Sequence, residues 1–171
     1  VQMVLEGTPA QKAGLMKGSV VTLLDGRPFS PVDSLKDLAG KSATITFRKG
    51  REEISRPVEI SSGPPLDMFL EATRSSVRTI EKDGKKFGYV HLWTMANAQF
   101  RDTLANIVYG ELKDTDGIIL DIRDGFGGRP EGYGDPFFRP EVDLGWKTGE
   151  FTIPQKFGYG KPVALLINGG S

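Results

Sequence analysis

Cysteine is absent from the 171-residue sequence and histidine occurs once. These two shortages exclude disulfides, thiol catalysis, cysteine-ligated zinc and any metal site built on several histidines. A dominant charge is also missing. The 22 Lys and Arg residues balance 22 Asp and Glu, a formal net charge of +0, so no whole-protein field steers the chain toward nucleic acid or anionic lipid. No apolar run approaches the roughly 18 residues of a membrane span, and no signal peptide opens the sequence. It starts at Val1 and stops at Ser171 directly after an apolar stretch, so we expect a piece of something longer. Glycine and proline, by contrast, are plentiful at 22 and 11 residues, so turns should be frequent and element boundaries legible. With 38% hydrophobic and 26% charged residues the chain should pack as one full domain or two small ones.

Three segments emerge. Residues 1–61 hold short β-rich runs at 1–5, 20–24, 43–48 and 54–60, separated by turn signals at Gly7-Thr8-Pro9, Asp25-Gly26 and Lys49-Gly50. Two short helices are expected at residues 10–13 and 32–39, each after a proline. Ser61-Ser62-Gly63-Pro64-Pro65 reads as the boundary, with residues 62–65 a linker, because consecutive prolines disfavour both helix and ladder. Beyond it lies a helix at 66–75 with Leu66, Phe69, Leu70 and Thr73 on one face. Strands at 77–81 and 87–94 flank the Asp83-Gly84 hairpin turn. A clear amphipathic helix spans 97–112, with Phe100, Leu104, Ile107, Val108 and Leu112 on its apolar face. The unbroken apolar runs 117–122 and 162–167 suit strands covered on both faces, hence a parallel sheet with crossing helices. The fold class expected is therefore mixed: a small β-rich module (α+β), then an α/β core.

The first chemical signal is Gly7-Thr8-Pro9-Ala10-Gln11-Lys12-Ala13-Gly14-Leu15, followed by Lys17-Gly18-Ser19-Val20-Val21 and Leu24-Asp25-Gly26-Arg27-Pro28. Pro9 starts one helical turn, Gly14 and Gly18 allow the positive φ that stops it, and Asp25-Gly26 reverses the next strand. Over residues 1–61 this pattern resembles a PDZ domain of the bacterial protease type. Such domains add a peptide C-terminus as a strand beside a helix, its carboxylate held by a loop. The resemblance places that loop before Val1, puts Ser19 where Asp is usual, and makes Val32, Leu35 and Leu38 groove-lining residues. The same three would serve equally as the packed face of a plain helix.

The second signal is Leu120-Asp121-Ile122-Arg123-Asp124-Gly125-Phe126-Gly127-Gly128. A buried strand running into a glycine-rich turn can aim backbone N–H groups into a cleft at the strand's carboxyl end, where an oxyanion could sit. With Phe87-Gly88-Tyr89-Val90-His91-Leu92, the long helix and the final Leu165-Leu166-Ile167-Asn168-Gly169-Gly170-Ser171, residues 66–171 resemble the first part of the catalytic domain of the carboxy-terminal processing (tail-specific) serine proteases, a crotonase-like fold. Gly125-Phe126 stands where the family motif has Asn-Pro.

That resemblance makes Gly127, with Gly128 beside it, the oxyanion-hole donor. It implies peptide-bond hydrolysis by a Ser-Lys dyad, needing no metal and no organic cofactor. Ser171 after two glycines looks like a nucleophile on a tight turn, yet the resemblance makes it the Ser or Thr preceding the nucleophile, with the reacting Ser and then the Lys coming later. On that reading the chain is an incomplete, inactive piece. Lys161 stays open as a distant base. Asp121 and Arg123 are expected to form a structural ion pair or to cap loops around the turn, and His91, between Val90 and Leu92, to be a structural histidine. The implied partners are polypeptide substrates, recruited through their C-termini, with no nucleic acid. The implied location is the bacterial periplasm or beyond. The competing reading is a non-proteolytic ligand- or peptide-binding protein on the same fold.

Overall fold

The computed structural model describes residues 1–138, 142–149 and 151–171. The chain separates into two compact units, Val1–Ser75 and Ser76–Ser171.

In the first unit, Thr8 caps helix α1 (Pro9–Lys12) by accepting the Gln11 N–H at 3.4 Å, and Pro9 begins it. The chain then forms an antiparallel sheet in the order β2-β1-β3-β4, from β1 (Val20–Leu24), β2 (Arg27–Pro28), β3 (Ser42–Lys49) and β4 (Glu52–Glu59). Asp25 and Gly26 turn β1 into β2 with φ of 48° and 75°, the two positive values that a primed hairpin turn demands. Leu15, Leu24, Ala43, Ile45, Phe47 and Val58 form the core.

Two expectations fail in this unit. Residues 1–5 form no strand: Val1 bonds only to Gly18 and Ser19, one rung that no neighbouring pair extends, although Val4 does pack on the core. Residues 32–39 yield a single 3-10 turn, Asp33–Leu35, rather than a helix. Ser34 Oγ accepts the Ser30 N–H at 2.8 Å and Ser30 Oγ donates to Asp33 at 2.9 Å, so side chains compete with the helical pattern. Asp37, at φ 59°, then stops any continuation.

Pro65 is not linker. It opens α2 (Pro65–Ser76), where its missing N–H costs nothing because that donor would have no helical partner. Phe69, Leu70, Ala72, Thr73 and Ser76 are its buried residues, while Leu66 is exposed.

In the second unit, β5 (Arg78–Lys82) and β6 (Lys85–His91) form the expected hairpin, with Asp83 and Gly84 at φ 51° and 72°. Helix α3 (Ala98–Tyr109) begins at Asn97, whose side chain accepts the Gln99 N–H, and buries Phe100, Thr103, Leu104, Ile107 and Val108. It carries the chain over to β7 (Gly117–Asp121), which pairs parallel to β6. Gly88 has a packing reason: a Cβ there would meet Leu112 at 2.9 Å. After α4 (Asp135–Phe138) comes a separate hairpin of β8 (Val142–Thr148) and β9 (Phe151–Phe157). Strand β10 (Val163–Leu166) then adds in parallel beside β7, giving the order β10-β7-β6-β5.

The parallel β6-β7-β10 core matches the two unbroken apolar runs. Their burial differs, however. β7 is largely buried, whereas Val163, Leu165 and Ile167 are 38%, 54% and 65% exposed. The physical reason is position, since β10 is an edge strand with β7 as its one neighbour among the described residues.

Candidate active site

In an open parallel sheet, groups that meet a ligand gather where strands end at their carboxyl termini. Here three loops meet there: residues 92–95 after β6, 122–128 after β7 and 167–171 after β10. Backbone bonds continue past the strands. Leu92 N–H donates to Asp121 O at 2.8 Å and Ile122 N–H to Leu166 O at 3.0 Å. Farther out, Phe126 N–H donates to Trp93 O at 2.7 Å, and both Met95 N–H and Thr94 Oγ1 donate to Gly127 O at 2.8 Å. The Arg129 N–H donates to Met95 O at 3.0 Å, completing a parallel bridge between Met95 and Gly128.

That bridge explains both glycines. A Cβ on Gly128 would lie 2.2 Å from the Met95 carbonyl carbon and oxygen, so only glycine admits the close approach. Gly127 has φ 74° with nothing near its missing Cβ, so conformation rather than space selects glycine. Met95 uses the Gly127 C=O and the Arg129 N–H, which leaves the N–H of Gly128 outside the bridge. Two successive glycines at positive φ, 74° and 135°, thus lie on an exposed loop pinned by these bonds.

Beneath the loop lies a buried network. The Asp121 carboxylate, 1% exposed, accepts the Tyr89 hydroxyl at 2.7 Å and the Arg123 backbone N–H at 3.0 Å. It also takes a two-pronged contact from the Arg123 guanidinium, with Nε at 2.9 Å and Nη2 at 2.7 Å. Burial opposes its ionisation, but the hydrogen bonds from Arg123 and Tyr89 outweigh that and hold its pKa at about 2. The same contacts raise Arg123, while burial and then the bond to Asp121 push the Tyr89 hydroxyl up. Arg78 lies over the Tyr89 ring at 3.6 Å. His91 Nε2 sits 2.9 Å from the Arg123 carbonyl, which can only accept, so the imidazole proton is on Nε2 there. His91 also stacks on Trp93 with centroids 4.1 Å apart. Asp121, Arg123 and His91 thus hold the root of the glycine loop.

At the end of β10, Ser171 Oγ accepts the Asn168 N–H at 2.8 Å and lies 3.3 Å from Asn168 Oδ1, closing a local turn. Lys161 Nζ donates to the carbonyls of Lys113 and Thr115, at 3.0 and 2.6 Å. It is engaged with backbone acceptors after α3. Asn168 reaches the neighbouring loop: its Nδ2 donates to Asp124 Oδ1 at 3.0 Å and its Oδ1 accepts the Asp124 N–H at 3.1 Å. Sequence reasoning missed this pair, along with Tyr89 as a partner of Asp121. An Asn before two glycines and an Asp in a loop after a strand were the available signals, but neither predicts that two loops 44 residues apart share hydrogen bonds.

In the first unit, Val32 is 79% exposed and Leu35 38%, whereas Leu38 packs against the core. The 3-10 turn therefore parts the three residues that a continuous helix would have set on one face. Ser19 is buried, its Oγ accepting the Met16 N–H at 3.2 Å. Among the described residues no group of three or more His, Asp or Glu could hold a metal ion, and no helix is long and apolar enough to cross a membrane.

No protein-family model matches the chain. It is 29% identical over 131 residues to a protein of Pseudomonas fulva (strain 12-X) described as a DegP-like periplasmic serine endoprotease, covering 73% of this chain and 27% of that one. Among solved structures it is similar to a photosystem II D1 C-terminal processing protease at 18% identity and a TM-score of 0.49, covering 99% of this chain and 50% of the other. It is also similar to a Bacteroides fragilis NCTC 9343 protein described as an S41 protease, at 15% identity, a TM-score of 0.49, and coverage of 99% and 52%. The chain spans about a quarter of the curated relative it matches and about half of each solved structure.

Proposed function

We propose that these residues are part of a serine-type peptidase of the carboxy-terminal processing kind, hydrolysing peptide bonds in polypeptide substrates. The observation that carries the reading is the glycine loop at the carboxyl end of β7. Its backbone is pinned to residues 93–95, with the Gly128 N–H left outside the bridge and Gly127 held at positive φ. Such fixed donors stabilise the charge that develops on a carbonyl oxygen during acyl transfer and need no rearrangement as it forms.

In this reading Gly127 and Gly128 supply the oxyanion hole. The Ser171 hydroxyl serves its own turn, as its bonds to Asn168 support. The reacting serine and its lysine base come from outside these 171 residues. A desolvated neutral lysine would take the serine proton, and an acyl-enzyme would form and then be hydrolysed. Residues 1–61 would be a PDZ-like module recruiting substrate C-termini, with the exposed Val32 and Leu35 at its apolar contact. The likeness to a relative described as periplasmic supports a periplasmic or exported location.

The full-length protein, incubated with an unfolded polypeptide and a serine-directed acylating probe, should cleave the polypeptide and carry the label on a serine outside these residues. The 171-residue chain alone should stay unlabelled. Label on Ser171, or no label and no cleavage by the full-length protein, would contradict the reading.

A further inference from the structure

The loops after β7 and β10 are not joined by main-chain ladder bonds at their tips; they are joined by side chains. The Asp124 and Asn168 contact is reciprocal, with Asn168 Nδ2 donating to Asp124 Oδ1 at 3.0 Å and the Asp124 N–H donating to Asn168 Oδ1 at 3.1 Å. That same Oδ1 also accepts the Gly170 N–H at 2.9 Å and faces the Ser171 hydroxyl. One amide side chain therefore organises the turn at 168–171 and ties it to the glycine loop. The approach is tight, since a Cβ on Gly170 would lie 3.0 Å from Asp124 Oδ1. Asp124 itself holds φ 56°, a conformation costly for most residues and best tolerated by Asp and Asn, whose side chains can bond locally.

Building on the peptidase reading, we propose that Asp124 and Asn168 are positioning residues: a polar clasp that sets the distance between the oxyanion loop and the turn leading to the nucleophile. Acyl transfer needs the attacking oxygen and the oxyanion donors placed about one carbonyl group, and a misplacement of about 1 Å can cost on the order of 10²-fold in rate. The two groups lie on loops after different strands. Main-chain bonding fixes Ile122 against Leu166, but residues 168–171 extend past the last such bond and rely on Asn168. Neither residue touches the reacting atoms; both act through the loops they hold.

The chemistry allows a test by exchange of roles. Asn168→Asp keeps an oxygen facing the Asp124 and Gly170 N–H groups but replaces the Nδ2 donor with a second carboxylate oxygen, opposite Asp124 at hydrogen-bond distance. Adding Asp124→Asn returns a donor to the pair, now from position 124 to the carboxylate at 168, and Asn suits the positive φ there as well as Asp does. In the full-length protein at pH 7, Asn168→Asp should lower kcat about 10- to 100-fold with KM changed less than about twofold. Amide exchange at Phe126, Met95 and Arg129, whose bonds anchor the glycine loop, should quicken. The double variant should restore most of both.

Unaltered exchange in Asn168→Asp, altered exchange with unaltered kcat, or a double variant no better than the single would each overturn the clasp. Hydrolysis missing from the wild-type protein would sink the peptidase reading instead, and the exchange measurements would still decide whether the two loops are coupled through this pair.

Discussion

Gly128→Ala is expected to destabilise the second unit on the order of 3 kcal/mol and to reduce turnover of the full-length protein by about 10² or more. The reason is steric and local. The new methyl would fall 2.2 Å from the Met95 carbonyl carbon and oxygen, which are backbone atoms and cannot rotate aside. Relief requires parting residues 95 and 128. That would break the bonds from Met95 N–H to Gly127 O and from Arg129 N–H to Met95 O, each worth about 1 kcal/mol net. The φ of 135° adds strain for any L residue. Gly127→Ala is the informative partner. Its Cβ would enter open space, so it bears only the cost of φ 74°, about 1 to 2 kcal/mol. Urea unfolding of both variants checks the order; an equal or larger loss for Gly127→Ala would show that the loop is held differently.

Asp121→Asn is expected to cost about 2 kcal/mol at pH 7, and the deficit should shrink as the solution is acidified. The folded carboxyl titrates at about 2, against an ordinary value of 3.8. A depressed pKa means that the folded state favours the ionised form. Its contribution is therefore complete above about pH 4 and is lost as the pH falls from there through 2. The fall from 3.8 to about 2 corresponds to about 2 kcal/mol, and the half-exposed Arg123 guanidinium keeps the energy from exceeding that. Asn retains the shape but cannot accept from Tyr89 and both Arg123 nitrogens at once. Stability should be measured at pH 7, 4 and 2.5. A gap between wild type and variant that stays constant across those values would show that the carboxylate's charge is not what holds the network.

The sequence made plain whatever depends on local backbone chemistry. Asp-Gly turns at 25–26 and 83–84 and the proline that starts α1 act within a few residues of themselves, so their effect can be read from neighbours alone. The period of α3 and the unbroken apolar runs 117–122 and 162–167 likewise announced a parallel sheet with a crossing helix.

What escaped was non-local. Residues 32–39 have helical spacing, but Ser30, Asp33 and Ser34 spend their side chains on nearby groups and Asp37 leaves the helical region. The β8-β9 hairpin was not foreseen, because Gly145 and Pro154 interrupt both strand patterns; in the structure they lie opposite each other in register. The same limit applies at the candidate site. Gly127 and Gly128 could be singled out from their motif, and the Asp121–Arg123 pair from its spacing. That Gly128 is required by contact with Met95, and that Asp124 meets Asn168, depends on chain crossings that no window of sequence contains.

The central claim, that the glycine loop after β7 stabilises an oxyanion, is tested most directly by the backbone amide resonances of Gly127 and Gly128. They would be followed while the reacting serine of the full-length protein is phosphonylated by a peptidyl phosphonate diester, which loses an aryloxide and leaves its phosphoryl oxygen in the place of the tetrahedral oxyanion. A large downfield proton shift at Gly127, Gly128 or both, with much smaller changes at Gly125 and Gly132, is the result this account predicts. Phosphonylation that leaves both resonances where they were in the free protein would contradict it.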